Sequence, residues 1–164
     1  MTLPEQERER FCQVLHHSRT SLYRLAFSIT RNSSDAQEAV AEAVCRGYER
    51  YPQLREKEKL PRWLLKITAN EARRLCQRRG RTVSLDDLPT EPAIPGRETG
   101  DDTLWQAVQT LPRDQREAVV LFYYEDLPTE EIARIVGTSP GAVRVRLSRA
   151  REKLRSILKE GDYG

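Results

Sequence analysis

Between Gly80 and Thr103 the chain loses every sign of regular structure. Gly80, Pro89, Pro92, Pro95, Gly96 and Gly100 accompany six acidic residues there, and no apolar residues recur at helical spacing. A chain of 164 residues can hold one medium domain or two small ones. The interruption favours two small units, each near the size where a single hydrophobic core becomes marginal. The expected organisation is a helical domain over residues 1–80, a flexible acidic linker over 81–102 and a second helical domain over 103–164.

Both flanks carry the helical period. Phe11, Val14, Leu15, Leu22, Leu25, Ala26 and Ile29 recur three and four apart, which predicts one amphipathic helix or a pair. Arg31 to Ser34 is a polar break in which Ser33 or Ser34 suits an N-cap. The stripe Ala36, Ala39, Val40, Ala43, Val44, Gly47 and Tyr48 follows. Pro61 can occupy the first turn of a third helix whose buried side is Trp63, Leu64, Ile67, Ala72 and Leu75. Beyond the linker, Leu104, Trp105, Val108 and Leu111 form a short stripe stopped by Pro112, and Glu117 to Tyr124 forms another. Strand alternation of useful length is missing, so the expected fold class is all-α.

The formal net charge of +3 conceals an uneven distribution. Residues 62–81 hold seven bases and one acid, residues 86–102 six acids and one base, and residues 139–159 seven bases and one acid. Two basic blocks of this kind suit a polyanion, because each Lys or Arg that neutralises a phosphate releases condensed counterions. Charge alone is equally compatible with two solvated helix faces.

The segment from Leu127 to Leu147 decides more. Thr129 can cap a helix whose inner face is Ile132, Ala133 and Val136, and small Ala133 permits close approach of a neighbour. Gly137 supplies the positive φ of a tight turn, and Ser139 with Pro140 opens a second helix. In that second helix Val143, Leu147, Ala150 and Leu154 face inward, which leaves Arg144, Ser148, Arg149 and Arg151 outward and Arg146 toward one edge. A helix-turn-helix that presents a basic second helix suits the DNA major groove, where Arg forks meet guanine edges. The competing reading is an αα-hairpin with a solubilising face.

The third helix mixes bases with an aromatic and an amide: Arg62, Trp63, Lys66, Asn70, Arg73, Arg74 and Arg78. Lys66, Asn70, Arg73 and Arg74 lie three or four apart and share a broad face that could hold a nucleic-acid backbone while an amide reads an exposed base. Trp63 reads as a core residue rather than a stacking platform.

With these residues in view the chain resembles the extracytoplasmic-function sigma factors of bacterial RNA polymerase, from about Phe11 to Leu158. The resemblance is carried by Ser34 to Tyr48, Pro61 to Arg74, Leu111 to Leu121 and Ile132 to Leu154, in this order. It implies that Asp35, Glu38, Glu42 and Arg46 contact core polymerase. Arg62, Lys66, Asn70, Arg73, Arg74 and Arg78 would serve the −10 element, Asn70 reading an extruded base beside a pocket from the loop Pro52 to Leu60. Ser139, Arg144, Arg146, Ser148 and Arg149 would serve the −35 element. It implies as partners core RNA polymerase, promoter DNA and an anti-sigma factor, often membrane-anchored, with no small-molecule substrate and a regulon of stress or envelope signals. Two departures stand out: an Ala/Val-rich Glu38 to Val44, and Val145 where many relatives carry a polar residue.

A second reading is a stand-alone helix-turn-helix regulator that acts without core polymerase. Catalysis is not expected: there is no Gly-rich phosphate loop, and the paired acids Asp86-Asp87 and Asp101-Asp102 lie in the linker. Cys12 and His16 stand one helical turn apart, but four ligands make a structural zinc site and no nearby residue completes the set, so neither metal nor cofactor is expected. Three widely spaced cysteines (Cys12, Cys45, Cys76), the charged Met1 to Arg10 and no long apolar run suit a reduced, cytoplasmic protein.

Overall fold

A computed structural model describes residues 3–80 and 102–161; the expected linker, 81–102, lies outside them except for Asp102, which is the first residue of a helix. The described residues fall in two compact units and contain helices and turns but no strand.

The first unit packs three helices against one another: α1 (Glu5–Thr30), α2 (Ser33–Arg50) and α3 (Leu60–Arg79). α1 is one uninterrupted helix rather than a pair, and it buries Phe11, Leu22, Leu25, Ala26, Phe27 and Ile29. It stops at Arg31, which takes a left-handed conformation (φ 53°, ψ 31°) and donates its N–H to the Phe27 carbonyl at 2.7 Å. The cap of α2 is Asn32 rather than Ser33 or Ser34: its extended backbone lets the side-chain oxygen accept the Asp35 N–H at 2.9 Å. Ser33 instead pairs with the Tyr23 hydroxyl at 2.9 Å.

The inner stripe of α2 consists of Ala36, Ala39, Ala43 and Gly47. Such small residues let α2 lie close to its neighbours, and a Cβ on Gly47 would stand 2.7 Å from the Leu64 Cδ2. Leu60, Leu64, Ala69, Ala72 and Leu75 of α3 fill the opposing side. Two 3₁₀ turns, Tyr51–Gln53 and Lys57–Lys59, join α2 to α3. Tyr51 is fully buried against Phe11, and the Lys57 ammonium lies 4.0 Å above its ring while donating to its carbonyl at 2.6 Å. The loop is therefore held at both ends.

The second unit contains α4 (Asp102–Gln109), α5 (Arg113–Val119), α6 (Thr129–Val136) and α7 (Pro140–Gly161). α5 runs on into a wider π-type turn, Val120–Tyr124, within the stripe expected over Glu117 to Tyr124. α7 packs against α4, α5 and α6, and Val143, Leu147, Ala150 and Leu154 make its buried side. Arg116 is buried and donates to the Leu111 carbonyl at 2.7 Å, which closes the bend between α4 and α5.

Candidate nucleic-acid and polymerase interfaces

The turn between α6 and α7 follows from one residue. Gly137 has φ 77° and ψ 43°, a left-handed conformation that costs glycine little, and it donates to the Ala133 carbonyl at 2.8 Å. Ser139 Oγ then accepts the Ala142 N–H at 3.1 Å and opens α7, so this hydroxyl belongs to the cap. Thr129 does not cap α6. It is the first helical residue, Pro128 holds the cap position, and the Thr129 hydroxyl bonds to Glu130 Oε1 at 3.0 Å. Ile135, absent from the expected inner face, is buried beside Ile132 and Ala133, whereas Val136 is half-buried.

Arg144, Ser148 and Arg149 lie exposed on the outer side of α7. Arg146 sits at an edge, half-buried, with its Nε 3.9 Å from Asp114 Oδ2. Arg151 departs from the expectation of an outward residue: its Nε donates to the Tyr123 hydroxyl and its guanidinium lies 5.7 Å from the Phe122 and Tyr123 ring centroids. The outer face is thus Arg144, Ser148 and Arg149, with Val145 between them at 47% exposed. Helix-turn-helix units present such a face to the major groove.

In the first unit, Arg62, Lys66 and Asn70 are exposed on α3 and Arg73 is half-buried, with its Nη1 3.5 Å from Asn70 Oδ1. Trp63 is half-buried rather than fully in the core. Arg74 and Arg78 instead line a cleft between α3 and α2, Arg74 paired within α3 and Arg78 across to α2. Arg74 Nη1 lies 3.3 Å from Glu71 Oε2, and Arg78 Nη2 lies 3.9 Å from Glu38 Oε2.

That flank is a charged seam. Arg46 Nε stands 2.9 Å from Glu71 Oε2 and 3.4 Å from Glu42 Oε1, and Arg79 Nη2 stands 3.0 Å from Asp35 Oδ1. A cleft of about 210 Å³ runs along it, lined by Glu38, Glu42, Arg46, Glu71, Arg74 and Arg78. Three of the four residues expected to contact polymerase, Glu38, Glu42 and Arg46, therefore adjoin Arg74 and Arg78, two bases expected to contact DNA. Asp35 differs from the other three: it is 6% exposed and paired with Arg79, so it offers no open carboxylate to a partner. Glu71 and Arg79 are members of this seam that sequence reasoning missed, because their partners lie on another helix.

The second unit also has an apolar groove of about 720 Å³, floored by Leu104, Val119, Tyr124, Leu154 and Leu158 and rimmed by Arg151, Arg155 and Lys159. Burial pushes the Tyr51 phenol above its ordinary pKa, with Glu7 adding to the shift, and pulls the Arg31 guanidinium below its own; neither group lies in an interface face. Among the described residues no group of three or more His, Cys, Asp or Glu could hold a metal ion. His17 bonds to the Gln13 carbonyl at 2.8 Å and Cys12 is exposed.

Residues 14–82 match Sigma-70 region 2, and residues 101–154 match Sigma-70, region 4. The chain is 32% identical over 142 residues to the RNA polymerase sigma factor SigV of Bacillus subtilis, a match covering 85% of this chain and 86% of that protein. It is 31% identical over 148 residues to the ECF RNA polymerase sigma factor SigE of Mycolicibacterium smegmatis, covering 84% of this chain and 57% of that longer protein. Among solved structures it is similar to the sigma factor RpoE from Bartonella quintana, crystallised with the anti-sigma factor NepR. The TM-score is 0.76 at 28% identity, over 91% of this chain and 96% of that one. The chain belongs to the sigma-70 family of RNA polymerase sigma factors, in its extracytoplasmic-function group. Sigma factors are non-catalytic regulators that direct promoter-specific initiation. With both regions present in order in one chain, the stand-alone regulator loses its support.

Proposed function

We propose that this chain directs initiation by seating the outer face of α2 on core polymerase, holding the opened −10 strand on α3 and reading the −35 element with α7. The observation that carries the reading is the outer face of α7, where Arg144, Ser148 and Arg149 stand opposite a fully buried stripe. Base-edge contacts there would specify sequence, while Arg62, Lys66 and Arg73 would hold backbone. Glu38, Glu42 and Arg46 are the candidate polymerase contacts, Asn70 the candidate −10 reader, and Arg74 and Arg78 link the two faces.

The chain has no activity of its own in this scheme, since strand opening is driven by binding free energy. Work in the cytoplasm, where core polymerase resides, follows from the role; no helix among the described residues is long and apolar enough to cross a membrane. An anti-sigma partner is part of the proposal, supported by the similar factor from Bartonella quintana, which was crystallised with one.

Purified core polymerase tests the reading. Core plus this chain should give run-off transcripts from a discrete set of promoters, mapped by transcript-end sequencing. Failure to bind core, with no new start sites, would sink it.

A further inference from the structure

Two large hydrophobic side chains are exposed among the described residues, Tyr123 and Val145, each at 47%. Tyr123 is engaged by Arg151. Val145 is different. It follows Val143, which is fully buried, by two positions, and at 3.6 residues per turn this places it about 200° around the helix axis, on the crown of α7. Arg144 precedes it, and Ser148 and Arg149 lie one turn further on, all three exposed. Val145 is also the sixth residue of α7, within the N-terminal turns that a helix-turn-helix brings nearest the base edges.

A valine at that place has neither donor nor acceptor. Set against adenine or guanine it would cover the N7 acceptor, and against cytosine the amino group, displacing water without replacing its hydrogen bond. Thymine alone offers an apolar group in the major groove, its C5-methyl. The β-branched side chain is held near a single rotamer in a helix, so its two methyl groups are positioned before DNA arrives and little freedom is lost on contact.

We infer that Val145 is a specificity-determining residue that selects thymine at one position of the −35 element through the C5-methyl group. The inference rests on α7 being the −35 reader. The polar chemistry of the neighbouring Arg and Ser side chains would select the flanking bases, and Val145 adds a shape term that no hydrogen bond reports.

The test uses holoenzyme reconstituted from core and the full chain, on a promoter it transcribes. Each thymine of the −35 element is replaced in turn by uracil, which removes only the methyl group. At one position uracil should weaken wild-type binding about fourfold, the transfer free energy of one methyl group. Val145→Ala should bind thymine and uracil there equally, and 5-methylcytosine should bind the wild type better than cytosine. Because the side chain is exposed and alanine favours helix, the variant keeps its fold. Equal wild-type binding to every uracil-substituted site, or unchanged discrimination in Val145→Ala, would overturn the inference while leaving α7 as the reader. If scrambling the whole −35 element leaves wild-type binding unchanged, the assignment of α7 itself fails.

Discussion

Arg46 and Glu71 make the most revealing pair to perturb, because the two sides of the contact differ in exposure. The Glu71 side chain is 7% exposed, whereas Arg46 is 33% and Arg74 51% exposed. Arg46→Ala leaves a buried carboxylate with Arg74 alone, 3.3 Å away and half in water. Losing a hydrogen bond to such a charge costs about 2 kcal/mol. Glu71→Ala leaves two arginines that can swing into solvent, so its cost is smaller, about 1 kcal/mol. Removing both residues also leaves no stranded charge, so the double variant should lose only about 1 kcal/mol, near the Glu71→Ala value. The assay is thermal unfolding of the full chain followed by fluorescence. Of the two tryptophans, Trp63 lies in the first unit and Trp105 in the second, so a Trp105→Phe background reports the first alone. Arg46→Ala should lower its melting temperature by roughly 10 °C. A Glu71→Ala loss equal to that of Arg46→Ala, or a double variant equal to the sum of the singles, would refute the reasoning.

Arg149→Ala should reduce −35-dependent initiation about tenfold, the value of one bidentate base contact, without changing affinity for core; equal loss on promoters with and without a −35 element would contradict it. Asn70→Ala should slow strand opening at −10-dependent promoters, measured by permanganate reactivity of unpaired thymines, and wild-type reactivity would remove Asn70 from the site. Leu147→Ala empties a site that is 2% exposed and should cost the second unit about 3 kcal/mol, read by Trp105 fluorescence in a Trp63→Phe background.

What the sequence disclosed was whatever depends on local spacing. The buried side of α7, the turn at Gly137 and the cap at Ser139 each follow from residues within one or two helical turns. The cap of α2 escaped by a single residue, since Asn32, Ser33 and Ser34 all suit a cap and only the extended backbone of Asn32 selects among them. The ion pairs Arg46 with Glu71 and Asp35 with Arg79 join helices distant in sequence, and no periodicity on either helix announces them. Arg151 fell outside the reach of pattern for the same reason: its partner Tyr123 stands on the segment after α5. Val145 was legible as an oddity, but its place on the crown of α7 acquires meaning only from the burial of Val143.

The thinness of α2 has an engineering consequence. Its fully buried apolar contribution is Ala36, Ala39, Ala43 and Gly47, with Tyr48 packed edge-to-face on Phe11, so the exposed remainder of its exterior can be rewritten without disturbing how the three helices fit. A transplanted exterior would need to keep Asp35, Arg46, Tyr48, Ser33 and the Asn32 cap. On the proposed reading of α2 as the polymerase contact, polymerase preference could then be exchanged between sigma factors as a surface cassette, leaving α3 and α7 of the recipient untouched.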